Sequence, residues 1–314
     1  MDLPSVMLKT AAAGLVAASL AACAPVTAYR YTALVPAARP LAWDGRTGQR
    51  GSLRLEGTLT KATVERNYAP VEHDTAVHVS EVMVEGAAAL AVTSGFEVGV
   101  RAAYSQYAWS AASAIGTQPL PSHPGSWGIG PELRGTIPIG KSRRFAIGLA
   151  GNAMNYDVPY AEWSRTGPDS PNGQTTPCAP SPTCTVDSSG TRYALFSERS
   201  EGHWTISFGV YPSYAFGEHG EYGRVFALLG GHTGFQNDGF TDTPTNGSTV
   251  KATGPVWMVG AGYGIDLDAL HLGALLYQPL GESTIAYGPG GMLTVGLNVD
   301  LWDRRGGQRS DASD

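Results

Sequence analysis

Three cysteines, two histidines near strand ends and a few charges set among apolar residues are the side chains of this 314-residue chain with the types to do chemistry. Cys178 and Cys184 stand in "PCAPSPTC", a polar stretch with no histidine or carboxylate to complete a metal set. In an oxidising compartment that pair predicts a disulfide closing a small loop. His232 precedes Asp238 and Asp242, and His203 stands at another strand end. A catalytic base must reach its proton within hydrogen-bond distance. These spacings suggest no Asp-His dyad, so both histidines are expected at a solvated rim. "GPGGM", 288–292, precedes a strand pattern instead of opening a helix, which argues against a phosphate cradle. No cofactor and no metal are expected.

The third cysteine closes a different pattern. Lys9 precedes the apolar run "AAAGLVAASLAA", whose 12 residues are too few for a spanning helix of ~20. A charged start, a short apolar core and small residues predict a secretory signal over 1–22, starting at Met1 or Met7. The run ends in Leu20-Ala21-Ala22-Cys23, which resembles the bacterial lipobox. That resemblance implies cleavage before Cys23, a diacylglyceryl group on its thiol and an acyl chain, such as palmitate, on the new amino terminus. With Ala24 and not Asp next, it also implies delivery to the outer membrane by the lipoprotein-sorting machinery. Two or more chains anchor stably where one holds only marginally.

Composition restricts the body of the protein. Charged residues make up 15% and the 41 glycines about 13%, against roughly 25% and ~7% in ordinary soluble domains. Such a chain suits strands that press one face into something other than water. A net charge of −6 gives no basic footprint, so nucleic acid is not an expected partner.

After residue 50 the apolar period is two. In "FEVGVRAAY", Phe96, Val98, Val100, Ala102 and Tyr104 oppose Glu97, Gly99, Arg101, Ala103 and Ser105, as alternate strand side chains must. "WGIGPELRGTI" sets Trp127, Ile129, Leu133 and Ile137 against Glu132, Arg134 and Thr136, and "HWTISFGVYPSY" repeats the pattern. Ten strands are predicted: 52–64, 76–92, 96–108, 126–138, 144–156, 203–216, 224–236, 254–266, 269–280 and 291–302. From the second strand on, the connections run short, long, short, long. Tight turns on one side and longer loops on the other mark a transmembrane barrel.

Six of seven tryptophans, Trp109, Trp127, Trp163, Trp204, Trp257 and Trp302, fall at or just beyond strand ends, with Tyr104, Tyr107, Tyr156, Tyr214, Tyr263 and Tyr277 nearby. Amphipathic rings gather at both bilayer interfaces. The last strand, "MLTVGLNVDLW", alternates Leu293, Val295, Leu297, Val299 and Leu301 with polar or small residues. Its Thr294, Gly296, Val299 and Leu301 resemble the carboxy-terminal signal of outer-membrane barrels, which implies delivery by the barrel-assembly machinery. The polar tail after Trp302 departs from barrels that stop on an aromatic.

The fold expected is therefore all-β, an antiparallel transmembrane barrel of about ten strands in the bacterial outer membrane. Residues 1–22 form the signal, 23–50 a lipidated tether, 51–302 the barrel and 303–314 the tail. An even strand count returns both barrel ends to the periplasm, so the lipid on Cys23 is expected on the periplasmic side. Glu97, Arg101, Glu132, Arg134, Asn298 and Asp300 are expected to face the lumen, with a cross-strand ion pair between Arg101 and Glu132. A barrel this narrow is nearly filled by its own side chains, so no wide pore is expected. The role read from this is structural, adhesive or that of a narrow channel. Omptin-type proteases, which are ten-stranded barrels, make a hydrolase at the outer rim the alternative, and a soluble β-sandwich that binds a ligand is a third. The loop 157–202 is the longest outward feature, and "RYALF", 192–196, is placed to extend a strand into a hairpin above the membrane.

Overall fold

The computed structural model describes residues 29–33, 36–67, 76–110, 125–168, 170, 172–179, 183–186, 190–217, 220–237, 240–241, 250–280 and 285–301. The signal, Cys23 and the tail 303–314 lie outside the described residues. Among those described, the strands are β1 (Tyr29–Ala33), β2 (Ser52–Asn67), β3 (Ala76–Thr93), β4 (Phe96–Ser110), β5 (Gly125–Ile139), β6 (Phe145–Arg165) and β7 (Cys184–Val186). They continue with β8 (Arg192–Ala215), β9 (Arg224–Asn237), β10 (Phe240–Thr241), β11 (Val250–Leu267), β12 (Leu270–Leu280) and β13 (Ile285–Asp300).

Ten of these close a ring. β2 to β6 pair in sequence, β6 pairs with β8, and β8, β9, β11, β12 and β13 come next before β13 pairs back onto β2. Every pairing is antiparallel. Closure leaves no free sheet edge along the barrel, which a hydrocarbon environment would penalise. The turns at 94–95, 140–144, 216–223 and 268–269 lie at one end, which also holds the start of β2 and the end of β13. The connections after β2, β4, β6, β9 and β12 lie at the other, among them the longest, those after β4 and β6.

The alternation decides which face meets lipid. Along β13, Leu293 is 61% exposed and Val295 54%, while Thr294 between them is 8% exposed. The outward positions of β4, β5 and β8 are likewise Val100, Tyr104, Ile129, Leu133, Ile206 and Phe208, all exposed. Water would not tolerate so continuous an apolar band, but acyl chains match it. Near the short-turn end, Phe145 stands opposite Tyr214, Tyr214 opposite Val225 and Val225 opposite Tyr263, so one row of neighbouring strands carries exposed rings. Tyr104, Trp127 and Trp204 form the corresponding outer row.

Some aromatic residues depart from the expected girdle. Tyr156 and Tyr277 point into the barrel and are buried. Trp163 packs with Ala161, Tyr193 and Leu195 in a small core above the membrane band. The reason is length: β6 and β8 run on to Arg165 and back from Arg192, so Trp163 is mid-strand in a projecting hairpin instead of at a strand end. The side chains of Trp109, Tyr107 and Trp302 lie outside those described.

The amino-terminal part brings the largest correction. Residues 36–45 and 47 are buried inside the barrel, not strung out as a tether. β1 pairs with the outer end of β6, Tyr29 opposite Ser164, and with β10 in the long-loop region. The chain therefore starts its described course at the long-loop end, descends through the lumen and turns into β2 at the short-turn end. Thirteen residues, 36–48, cover at most about 45 Å when extended, enough to cross the bilayer once.

Candidate functional site

The lumen holds the only dense assembly of charged side chains among the described residues. β2 contributes Arg54 and Glu56, β3 Glu81 and Glu85, β4 Glu97 and Arg101, and β5 Glu132 and Arg134, all buried. Each sits at an inward position of the two-residue period, which is why four neighbouring strands present them on one curved wall. Arg101 Nε donates to Glu132 Oε2 at 2.5 Å and its Nη1 to Glu85 Oε2 at 3.3 Å. The Arg134 guanidinium forks: Nη1 donates to Glu56 Oε1 at 3.0 Å, Nη2 to Glu56 Oε2 at 2.5 Å, and Nε to Glu132. Such two-pronged pairing uses the planar geometry that lysine lacks. Arg54 Nη1 lies 3.5 Å from Glu56 and 3.9 Å from Asp44.

Of the lumen residues expected from sequence, Glu97, Arg101, Glu132 and Arg134 thus lie within one network. Asn298 is half-buried at the wall near the short-turn end, opposite Arg54 on β2. Asp300, one step nearer the rim, is exposed, because β13 ends there and the lumen opens to water. Cys178 and Cys184 are joined in a disulfide in the outer hairpin, where Arg192 Nη1 also donates to the Cys178 carbonyl at 2.6 Å. His232 is not at a solvated rim. It is 1% exposed, pointing inward from β9, with Nδ1 2.7 Å from the Thr233 carbonyl. His203 is half-buried and 3.8 Å from Glu201. Asp238 and Asp242 lie outside the described residues.

What the sequence reading missed is the occupant of the lumen. "PAARPLAWDGRTG", 36–48, makes a ladder of contacts ordered from the outer end to the inner. The Ala37 amide donates to Glu81 Oε2 at 2.7 Å, and Arg39 Nε donates to Glu85 Oε1 at 3.1 Å while its other arm meets the Tyr156 hydroxyl. The Tyr211 hydroxyl donates to the Leu41 carbonyl at 2.9 Å. Lower down, the Thr136 hydroxyl donates to the Gly45 carbonyl and accepts from the Thr47 amide, each at 3.0 Å. The Gly48 amide donates to Glu97 Oε1 at 2.5 Å.

Leu41, Ala42 and Trp43 turn the other way, into Tyr211, Phe226, Leu228, Met258, Leu275, Tyr277 and Met292 from the opposite wall. Trp43 meets Tyr211 edge to face at 5.4 Å, and the Arg134 guanidinium lies 5.9 Å from the Trp43 ring. Gly45 has φ +81, and a side chain there would lie 2.9 Å from the Tyr211 carbonyl oxygen. Opposite it, a Cβ on Gly148 would come within 2.6 Å of the Gly45 backbone. The two glycines let backbone pass backbone at the tightest point of the passage. Asp44 and Arg46 finish the segment beside Arg54, Asp266 and His271, with Arg46 paired to Asp266 and His271 Nδ1 2.9 Å from Asp266 Oδ1.

One signal for this occupant was present. The wall of β2 to β5 carries five glutamates against three arginines, an imbalance that calls for a further cation. Arg39 supplies it, but nothing local to "PAARPLAW" says so.

A closed even-stranded antiparallel sheet, apolar and ringed by aromatics outside, polar and charged within, defines a membrane-spanning β-barrel of the outer-membrane type. No family model matches the chain, and no curated protein matches it. Among solved structures it is similar to the translocator domain of the autotransporter NalP from Neisseria meningitidis, at 11% identity over 81% of this chain and 91% of that one, with a TM-score of 0.38. An outer-membrane channel from Pseudomonas putida F1 is similar at 9% identity over 82% of this chain and 98% of the other, TM-score 0.40. The Pseudomonas putida toluene transporter TodX shares 8% identity over 80% and 89%, TM-score 0.30. The barrel is defined by its own strand pairing, independently of these likenesses.

Proposed function

We propose that this chain is an outer-membrane lipoprotein whose barrel is a closed anchor, with a structural or adhesive role at the cell surface. Lipid attached at Cys23, delivery by the lipoprotein-sorting machinery and insertion by the barrel-assembly machinery belong to this reading. The observation that carries it is the filled lumen. Residues 36–48 occupy the passage from end to end, held by charged partners on one side and apolar partners on the other. Among the described residues, the largest part facing the surroundings is the hairpin of β6 and β8, stapled near its tip by Cys178–Cys184.

Planar-bilayer recording on the full-length protein tests it. No steady conductance is expected, and a constant open channel in the unaltered protein would overturn the closed anchor. Replacing 166–191 by a short turn is expected to leave folding intact, read as a heat-dependent gel shift, while lowering attachment or autoaggregation of expressing cells. A second reading, a narrow channel opened when the segment withdraws, is favoured by the excess of glutamate on the wall it covers. Conductance that is absent at low voltage and switches on in discrete steps above a threshold voltage would select it.

A further inference from the structure

The direction in which the chain threads the barrel fixes where its lipid can go. We infer that the acyl chains on Cys23 enter the membrane from the cell surface, in the outer leaflet, and not the periplasmic leaflet. This rests on the lipoprotein reading above. It adds the side, which reverses the expectation from strand parity.

The geometry starts at β1. Tyr29 pairs with Ser164, whereas the outer aromatic row includes Trp127, which pairs with Asp157 seven residues lower on β6. At ~3.3 Å per residue and a tilt near 40°, Tyr29 stands roughly 17 Å above that row. Six residue steps separate Cys23 from Tyr29, which reach at most about 20 Å. That length suffices to bring Cys23 back to the outer leaflet with little slack. The periplasmic leaflet lies a further ~25 Å away across the apolar band. A path through the lumen is closed as well, since 36–48 already fill it.

Such an anchor would hold the amino-terminal chain at three places. The lipid and β1 secure both sides of a short surface segment, while the lumen contacts secure residues 36–48. The chain from Cys23 to Gly48 is then held at the outer leaflet, at the β6 hairpin and along the full depth of the barrel. A cysteine lipidated in the periplasm has to pass outward as the barrel closes around the segment, so acylation must precede or accompany closure.

The test adds one cysteine at a time to the full-length protein, keeping Cys23 and the Cys178–Cys184 disulfide, and applies a membrane-impermeant maleimide to intact cells. Thr27→Cys probes the segment, Asn172→Cys the hairpin and Asp268→Cys the short-turn end. Mass spectrometry of the amino-terminal peptide reports acylation at Cys23, and the heat-dependent gel shift reports folding of each variant. The expected result is an acylated Cys23 with Thr27→Cys labelled on intact cells as fully as Asn172→Cys, and Asp268→Cys labelled only after permeabilisation. An acylated chain whose Thr27→Cys labels only after permeabilisation overturns this inference and leaves the lipoprotein reading standing. An unacylated Cys23 overturns both. Should Thr27→Cys fail to fold, Ala28→Cys serves the same reading one residue on.

Discussion

The two walls of the lumen hold the same segment by different physics. From β2 to β5 the wall is ionic, with three arginines and five glutamates, all buried, of which Glu81, Glu85 and Glu97 accept directed hydrogen bonds from Ala37, Arg39 and Gly48. From β8 to β13 it is chiefly apolar: Tyr211, Phe226, Leu228, Met258, Leu275, Tyr277 and Met292 pack on Leu41, Ala42 and Trp43. Directed contacts fix where along the axis each residue of the segment sits. Packing is less particular about position but removes apolar surface from water, at about 25 cal/mol per Å². A segment with little periodicity of its own is thereby held in one register by one wall and pressed against it by the other.

The most severe way to break the comparison removes the element both walls share. Replacing residues 36–48 by a glycine-serine stretch of equal length leaves the ionic wall facing water with its excess of glutamate. Bilayer recordings of this variant are expected to show steady conductance that favours cations over anions. A variant that stays closed would mean the wall residues collapse across the lumen and that the segment is not the seal. Anion preference would contradict the charge count.

Next comes the ionic wall alone. Arg134→Met removes the fork that joins Glu56 to Glu132, leaving Glu132 with Arg101 and Glu56 with the more distant Arg54 in a buried, glutamate-rich site. Breaking one partner of a buried charge network costs about 3–5 kcal/mol. The expected readout is a clear drop in the urea midpoint of unfolding from lipid vesicles. Arg134→Lys is expected to recover only part of that loss, because an ammonium lacks the planar fork that meets both oxygens of Glu56 while a third N–H reaches Glu132.

How much of this was legible depended on whether a residue's partner lay on a strand. Arg101 and Glu132 were readable as a pair because each keeps to the period of two and their strands are neighbours. The ten barrel strands came from the same period, and the tight turns from the intervals between them. Arg39, Asp44 and Arg46 were not readable. They lie on a stretch with no period, and their partners are set by the closure of a ring, which is a property of all ten strands together. His232 misled for a related reason. Asp238 and Asp242 are near it in sequence, but the strand turns its ring inward to His232's own backbone neighbour, the Thr233 carbonyl. The outward extension of β8 was legible at "RYALF", 192–196, but the matching length of β6 was hidden, since residues 158–165 pair with β8 and β1 outside the lipid band and lose its alternation.

The apolar wall should answer a conservative change more mildly. Met258 is fully buried among ring and aliphatic neighbours and makes its contribution by filling space. A swap to leucine keeps nearly the same volume, and such swaps usually cost under ~1.5 kcal/mol. Met258→Leu is therefore expected to shift the unfolding midpoint less than Arg134→Lys, although the first changes side-chain shape and the second preserves charge. Equal losses would erase the distinction between the walls. Met258→Ala supplies the calibration, since truncating a buried methionine costs about 2–5 kcal/mol.

The smallest effect is expected where the ionic wall ends. Asp300 has the inward parity of its strand and stands opposite Ser52, yet it is exposed. Glu97 accepts from the Gly48 amide and is 1% exposed. Parity alone would rank the two alike, whereas burial separates them. Asp300→Asn is expected to change stability by no more than about 0.5 kcal/mol, as surface substitutions usually do. Glu97→Gln removes a charge between Arg54 and Arg134, whose guanidiniums lie 4.0 and 3.8 Å away, and is expected to cost several times more. Similar midpoints for the two variants would mean that water reaches Glu97 as freely as Asp300. The charged wall would then be an extension of the rim, and the seal formed by residues 36–48 would lie nearer the outer end, at Arg39 and Leu41.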